Sequence, residues 1–150
     1  MSETLASAGL QQEIEAVIHG IFDAFQNHDP AGIEAGMHPA ATVWDVFVPR
    51  LFRGAAERAE FHAADQKQMQ SRGPLTLTID PPIVDGWGED MAIAKYTVSF
   101  AYEPPNATNG IVRITDVLRK IDGRWLVVHH HEGMVPDGIP PTNEPRATRG

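Results

Sequence analysis

Two aspartates occupy positions where the surrounding pattern calls for apolar side chains. In "ATVWDVFV" a strand would place Asp45 on one face with Val43 and Phe47, and Trp44, Val46 and Val48 on the other. In "IVRITDVLRK" Asp116 shares its face with Val112, Ile114 and Leu118. Burying an ionised carboxylate is costly, so each aspartate either shifts its pKa upward or finds a partner. An ionised Asp45 in such a setting suits a general base, and a protonated Asp116 suits hydrogen-bond donation to a developing oxyanion. The structural alternatives are an ion pair from Asp45 to Arg50 or Arg53, and from Asp116 to a nearby arginine or the rim.

Three consecutive histidines follow in "VVHHHEG". Strict alternation from Trp125 puts His129 and His131 with Val127, and His130 with Leu126 and Val128 on the opposite face. An imidazole titrates near pH ~6.5, so either His129 or His131 suits proton transfer or substrate orientation, with plain packing as the competitor. A metal would need two more ligands beyond this pair, and only His38, His62 and Asp65 offer themselves, so no metal is expected. His62 and Asp65 stand three apart on one helical face, as a site pair or a solvated contact. Tyr96, with Trp44, Phe47, Trp125, His38 and His62, completes the expected substrate-contacting set, because a Tyr hydroxyl can donate while its ring packs.

Composition narrows the chemistry. The 150 residues contain no cysteine, which removes disulfides, thiolate nucleophiles and iron-sulfur clusters. A net charge of -8 with pI near 5.2 and no basic cluster argues against a nucleic-acid partner. No apolar run approaches the ~20 residues of a membrane span, and "MSETLASAGLQQEIEAV" has no secretory pattern, so a cytoplasmic protein without a membrane partner is expected. There is no phosphate-binding glycine loop and no nucleophile elbow, and no cofactor is expected.

The elements that must position these groups follow from periodicity. Leu10, Ile14, Val17, Ile18, Ile21, Phe22 and Phe25 make an amphipathic helix over residues 10–25. Asp29 and Pro30 start a short second helix reaching about Met37, and His38-Pro39 makes a break. A strand then runs over residues 41–48, closed by Pro49, and "GAAERAEFHAADQKQM" is helical. Strand-like segments follow: "LTLTIDPPIVDGW", "DMAIAKYTVSFAYEPP", and a hairpin of residues 111–121 and 125–132 around Asp122-Gly123. Helices ahead of an antiparallel sheet define an α+β fold. A flexible N-terminus over 1–9, one domain over 10–135 and a Pro-rich extended tail over 136–150 complete the layout.

This order, with "FDAFQNHDPAGIEAGMHPAATVWD" and "RITDVLRKIDGRWLVVHHHEG", resembles the nuclear transport factor 2-like superfamily, in particular its ketosteroid isomerase-like and SnoaL-like members. The resemblance implies a cone-shaped curled antiparallel sheet on three N-terminal helices, enclosing one apolar cavity, and a homodimer. It places Asp45 at the isomerases' base and Asp116 at their protonated aspartate, while Ile21 stands where those enzymes carry a tyrosine. Dehydratase-like members imply histidines, here His129 or His131, working with Tyr96. The implied function is cofactor-independent acid-base catalysis, of lyase or isomerase type, on a small, largely apolar, aromatic or cyclic oxygenated molecule. The alternative is a non-catalytic ligand-binding or oligomer-assembly module, because one fold serves many functions.

Overall fold

In the computed structural model, residues 7–136 are described; of the flexible start expected over 1–9 residues 1–6 lie outside them, while Ala8 and Gly9 already belong to a helix, and of the tail expected over 136–150 all but residue 136 lies outside them. Helix α1, Ala8–Gln26, begins where the Ser7 side chain accepts the Leu10 N–H at 3.1 Å, and it buries Ile14, Ile18 and Ala24. Helix α2, Pro30–Ala35, is opened by Asp29 accepting from the Gly32 N–H, with Pro30 in the first turn where its missing N–H costs nothing. Strand β1, Met37–Trp44, pairs with the two-residue β2, Phe52–Arg53, and helix α3, Gly54–Met69, follows directly.

The remaining chain is sheet. β3 is Leu75–Ile79, β4 Ile83–Trp87, β5 Met91–Tyr102, β6 Thr108–Ile121 and β7 Arg124–Met134. The segment expected as a single strand, residues 75–87, is divided at Asp80-Pro81-Pro82, since neither proline can donate to a ladder. Both halves pair with β5, β4 along residues 91–95 and β3 along 98–102. The β6–β7 turn matches the sequence reading: Asp122 and Gly123 both have positive φ, as a two-residue hairpin of the favoured hand requires.

Among the described residues seven strands form one sheet, in the order β2-β1-β7-β6-β5-β3 with β4 beside β5. Its pairing is mixed, because β1 runs parallel to β7 while every other pair is antiparallel. The expected all-antiparallel sheet is corrected on this point. β1 enters from α2 on the helical layer and so arrives beside β7 in the same direction, with the Val127 N–H donating to the Gly36 carbonyl at 2.9 Å.

Two irregularities shape the sheet. His38-Pro39, expected as a break, lies inside β1, and the register against β7 shifts between Met37 and Thr42. On β7 the partner of Leu118 is Val127, but the partner of Val117 is His129, so Val128 is an extra residue, a β-bulge. β5 and β6 alternate buried and accessible along their length, and their buried face meets Ile14 and Ile18 of α1 in one core.

Candidate functional site

A cavity of about 260 Å³, open to one side, lies between the sheet and the three helices. Most of its wall is apolar, with Phe22 and Ile18 from α1, Phe61 from α3, and Val98 and Phe100 from β5. Against this background one connected set of polar groups crosses β5, β6 and β7. The Tyr96 hydroxyl donates to Asp116 Oδ2 at 2.6 Å, Asp116 Oδ1 lies 2.5 Å from His130 Nδ1, and His130 Nε2 lies 2.9 Å from Glu132 Oε2. Glu132 Oε1 accepts the Val46 N–H at 3.1 Å, which brings the segment after β1, and Asp45 with it, against the far end of the chain. Asp45 holds its own turn by accepting the Phe47 N–H at 2.8 Å.

The electrostatics follow from this order. Burial opposes a charge on His130, but Asp116 and Glu132 on either side outweigh it and hold its pKa well above the usual imidazole value. Burial would raise Glu132, yet the His130 contact, with help from Asp45 and the Val46 N–H, brings it below the usual carboxylate range. Asp45 is the reverse case: burial, then the charge and hydrogen bond of Glu132, push it up to about 7 against the Phe47 N–H. Burial and Asp116 hold the Tyr96 phenol well above its ordinary value. Asp45 is therefore a carboxyl that titrates near neutrality, beside a histidine held between Asp116 and Glu132.

A stability prediction arises here. Folding raises the His130 pKa, so its stabilising contribution is complete below the unfolded value of ~6.5 and is lost as pH rises through the folded value. The gap in unfolding free energy between wild type and His130→Leu should therefore be widest near pH ~6 and narrow on the alkaline side. Urea unfolding over a pH series measures it, and a gap that does not change with pH would contradict the assignment.

The expected site residues divide into two groups. Asp45, Asp116, Phe47, Tyr96 and His62 line the cavity. His129 and His131 do not, because the bulge at Val128 reverses the alternation and turns His130 and Glu132 inward in their place. His129 Nδ1 instead lies 2.6 Å from Thr42 Oγ1, and burial with the neighbouring His131 and His130 lowers its pKa. The His131 ring packs on Trp44, centroids 5.8 Å apart, so Trp44 is also outside the cavity and 45% exposed. Trp125 belongs to the core, its indole N–H donating to Glu13 at 2.8 Å, and the His38 ring accepts from the Ala40 N–H. Asp116 Oδ2 accepts from Tyr96 and Oδ1 faces His130, so each of its oxygens has one partner within the wall.

His62 and Asp65 do not pair with each other. His62 Nε2 lies 3.5 Å from Glu34, and Asp65 binds Arg72 at 3.3 Å. Nor does Asp45 pair with Arg50, whose partners are Glu57 and Glu60. The sequence reading passed over Glu132, Arg58 and Arg72, all in the cavity wall. For Glu132 a signal existed, since it stands two residues after His130 and so shares its face on any strand. Among the described residues no group of three or more His, Cys, Asp or Glu side chains is arranged to hold a metal ion, and no helix is long and apolar enough to cross a membrane.

Solved structures share this architecture. An NTF2-like protein from Pseudomonas putida matches at 22% identity and TM-score 0.72, covering 89% of this chain and 99% of that one. A ketosteroid isomerase-like protein from Erwinia carotovora matches at 17% identity and TM-score 0.70, covering 84% and 96%. The association domain of the C. elegans calcium/calmodulin-dependent kinase II matches at 23% identity and TM-score 0.66, covering 82% and 94%. At these identities the likeness establishes the nuclear transport factor 2-like fold. No curated protein matches the sequence. A family model, that of the calcium/calmodulin dependent protein kinase II association domain, matches residues 10–136, and with most of its length accounted for the chain belongs to that family.

Proposed function

We propose that this chain is an acid-base enzyme of lyase or isomerase type, acting on a small, largely apolar, aromatic or cyclic oxygenated molecule held in the cavity. The observation that carries the reading is the pairing of Asp45, its pKa pushed up to about 7, with the buried Glu132–His130–Asp116–Tyr96 chain in an otherwise apolar wall. Such a carboxyl takes a proton from bound substrate when ionised and returns it when protonated. Glu132 sets that balance by its charge, and His130 keeps Glu132 ionised. The test is deuterium exchange from heavy water into a panel of enolisable and hydroxylated ring compounds, wild type against Asp45→Asn. Exchange that depends on Asp45 supports the reading, and equal behaviour of the two proteins across the panel refutes it.

A second reading, assembly, is favoured by a separate observation. The outer face of the sheet exposes Trp44 on β1, Ile111 on β6, and Ile83 and Trp87 on β4 across β5 from Ile111, and the matching family is by its description an association domain. We propose that this face joins copies of the chain, a homodimer at the least. Placing charge there by Ile111→Glu together with Trp87→Glu should shift the protein to a smaller species in sedimentation equilibrium, and an unchanged mass would exclude this face. The two readings are compatible, since the cavity is lined by the opposite face of the sheet.

A further inference from the structure

Both arginines in the cavity wall already face acceptors of their own. Arg58 gives Nε and Nη2 to the Glu34 carboxylate at 2.9 and 2.7 Å, and its other contacts go to the carbonyls of Ala41 and His38. Arg72 is bound by Asp65, Gln68 and the Tyr102 hydroxyl, and its guanidinium lies 5.1 Å over the Tyr102 ring. His130 has a carboxylate on each nitrogen, while His62 Nε2, 3.5 Å from Glu34, is buried without a hydrogen-bond partner. An incoming anion would meet no arginine without a partner, and would have to displace Glu34 or Asp65 to reach one.

The opposite holds for negative charge. His130 stands between Asp116 and Glu132, one cation for two carboxylates, and Asp45 adds a further carboxyl beside Glu132. In a wall of low polarity that surplus is poorly screened. Beside Asp45 lies a run of rings in edge contact, Phe47 on Phe100 at 6.0 Å and Phe100 on Tyr102 at 6.2 Å. Aromatic faces attract a cation and are indifferent to an anion's charge at best.

Taking the cavity as the substrate site proposed above, we infer that its ligand is a small ring-bearing molecule carrying a protonated amine, placed against Asp45 and Glu132 with its ring among Phe47, Phe100 and Tyr102, and that carboxylates of the same size are rejected. Asp45 is faced by Glu132 and His130 from β7 and by Tyr102 from β5, with Arg72 behind that tyrosine. A bound ammonium favours the ionised form of Asp45, so binding below pH ~7 releases a proton and affinity rises with pH until Asp45 is fully ionised.

The test is isothermal titration of the full chain with three probes that share a phenylethyl frame and differ in the head group: 2-phenylethylamine, 2-phenylethanol and 3-phenylpropanoate. The expected order is amine, then alcohol, then carboxylate, with at least about tenfold, or about 1.4 kcal/mol, between the amine and the carboxylate. At mildly acid pH the amine's binding heat should depend on the buffer, reporting the proton released. Glu132→Gln should remove most of the amine's advantage, and Asp45→Asn the proton release. A carboxylate bound as tightly as the amine, no advantage of amine over alcohol, or no binding of any probe overturns the inference. Exchange into ring compounds reports separately on the enzymatic reading, because amine selectivity without any exchange sinks catalysis and leaves the charge preference standing.

Discussion

Arg58→Met is expected to lower the unfolding free energy by about 3–5 kcal/mol, the cost of leaving a buried charge and its acceptors without their partner. Arg58 is only 2% exposed. Its guanidinium ties three elements together: Glu34 on α2, the carbonyls of His38 and Ala41 on β1, and α3 through its own backbone. The carbonyls are available because β1 loses register at this point, where Pro39 has no N–H to offer a neighbouring strand. Lysine should not substitute, since one ammonium cannot span the fork and both carbonyls. The charge of Arg58 also outweighs burial and keeps Glu34 below the usual carboxylate range, so this part of the stability is present near neutrality and lost as pH falls through the Glu34 value. Urea unfolding of the two variants at neutral pH is the measurement, and a loss under about 1 kcal/mol would show that surface-like relaxation suffices.

Asp45→Asn should reduce exchange by about 10²–10⁴-fold on any compound the wild type turns over, the usual contribution of a positioned general base. A base with a pKa of about 7 is mostly protonated and idle in mild acid, so the wild-type rate should climb with pH and level off above that value. Glu132→Gln removes a charge that raises Asp45, and the inflection should then move to lower pH even where the maximal rate survives. The asparagine variant should fold as well as wild type, because ionised Asp45 is a liability to the native state rather than a support. A wild-type profile without an inflection near neutrality, or a variant within a few-fold of wild-type rate, would remove Asp45 from the chemistry.

The helices and the hairpin were legible because they rest on local physics: the spacing from Leu10 to Phe25, the Asp29-Pro30 start and the Asp122-Gly123 turn each act within a few residues. Asp45, Asp116 and Tyr96 were legible as cavity residues because alternation held along the strands that carry Asp116 and Tyr96. What failed was counting along β7. Reckoned back from the turn, Asp116 lies opposite His129, and only the additional residue at Val128 makes His130 its partner. Nothing in "WLVVHHHEG" announces a bulge, since Val127 and Val128 suit either face. Arg58 was missed for a different reason: its acceptors are backbone carbonyls, which leave no trace in side-chain spacing.

The bulge also bears on how relatives of this chain are to be compared. On its N-terminal side odd-numbered residues of β7 belong to the interior, and on its C-terminal side even-numbered ones do. An alignment that slides the histidines by one place to improve matching letters would equate an interior side chain with an exterior one. Correspondence along this strand is better anchored on the ladder partners, Asp116 with His130 and Val43 with His130, than on the identities of the residues themselves.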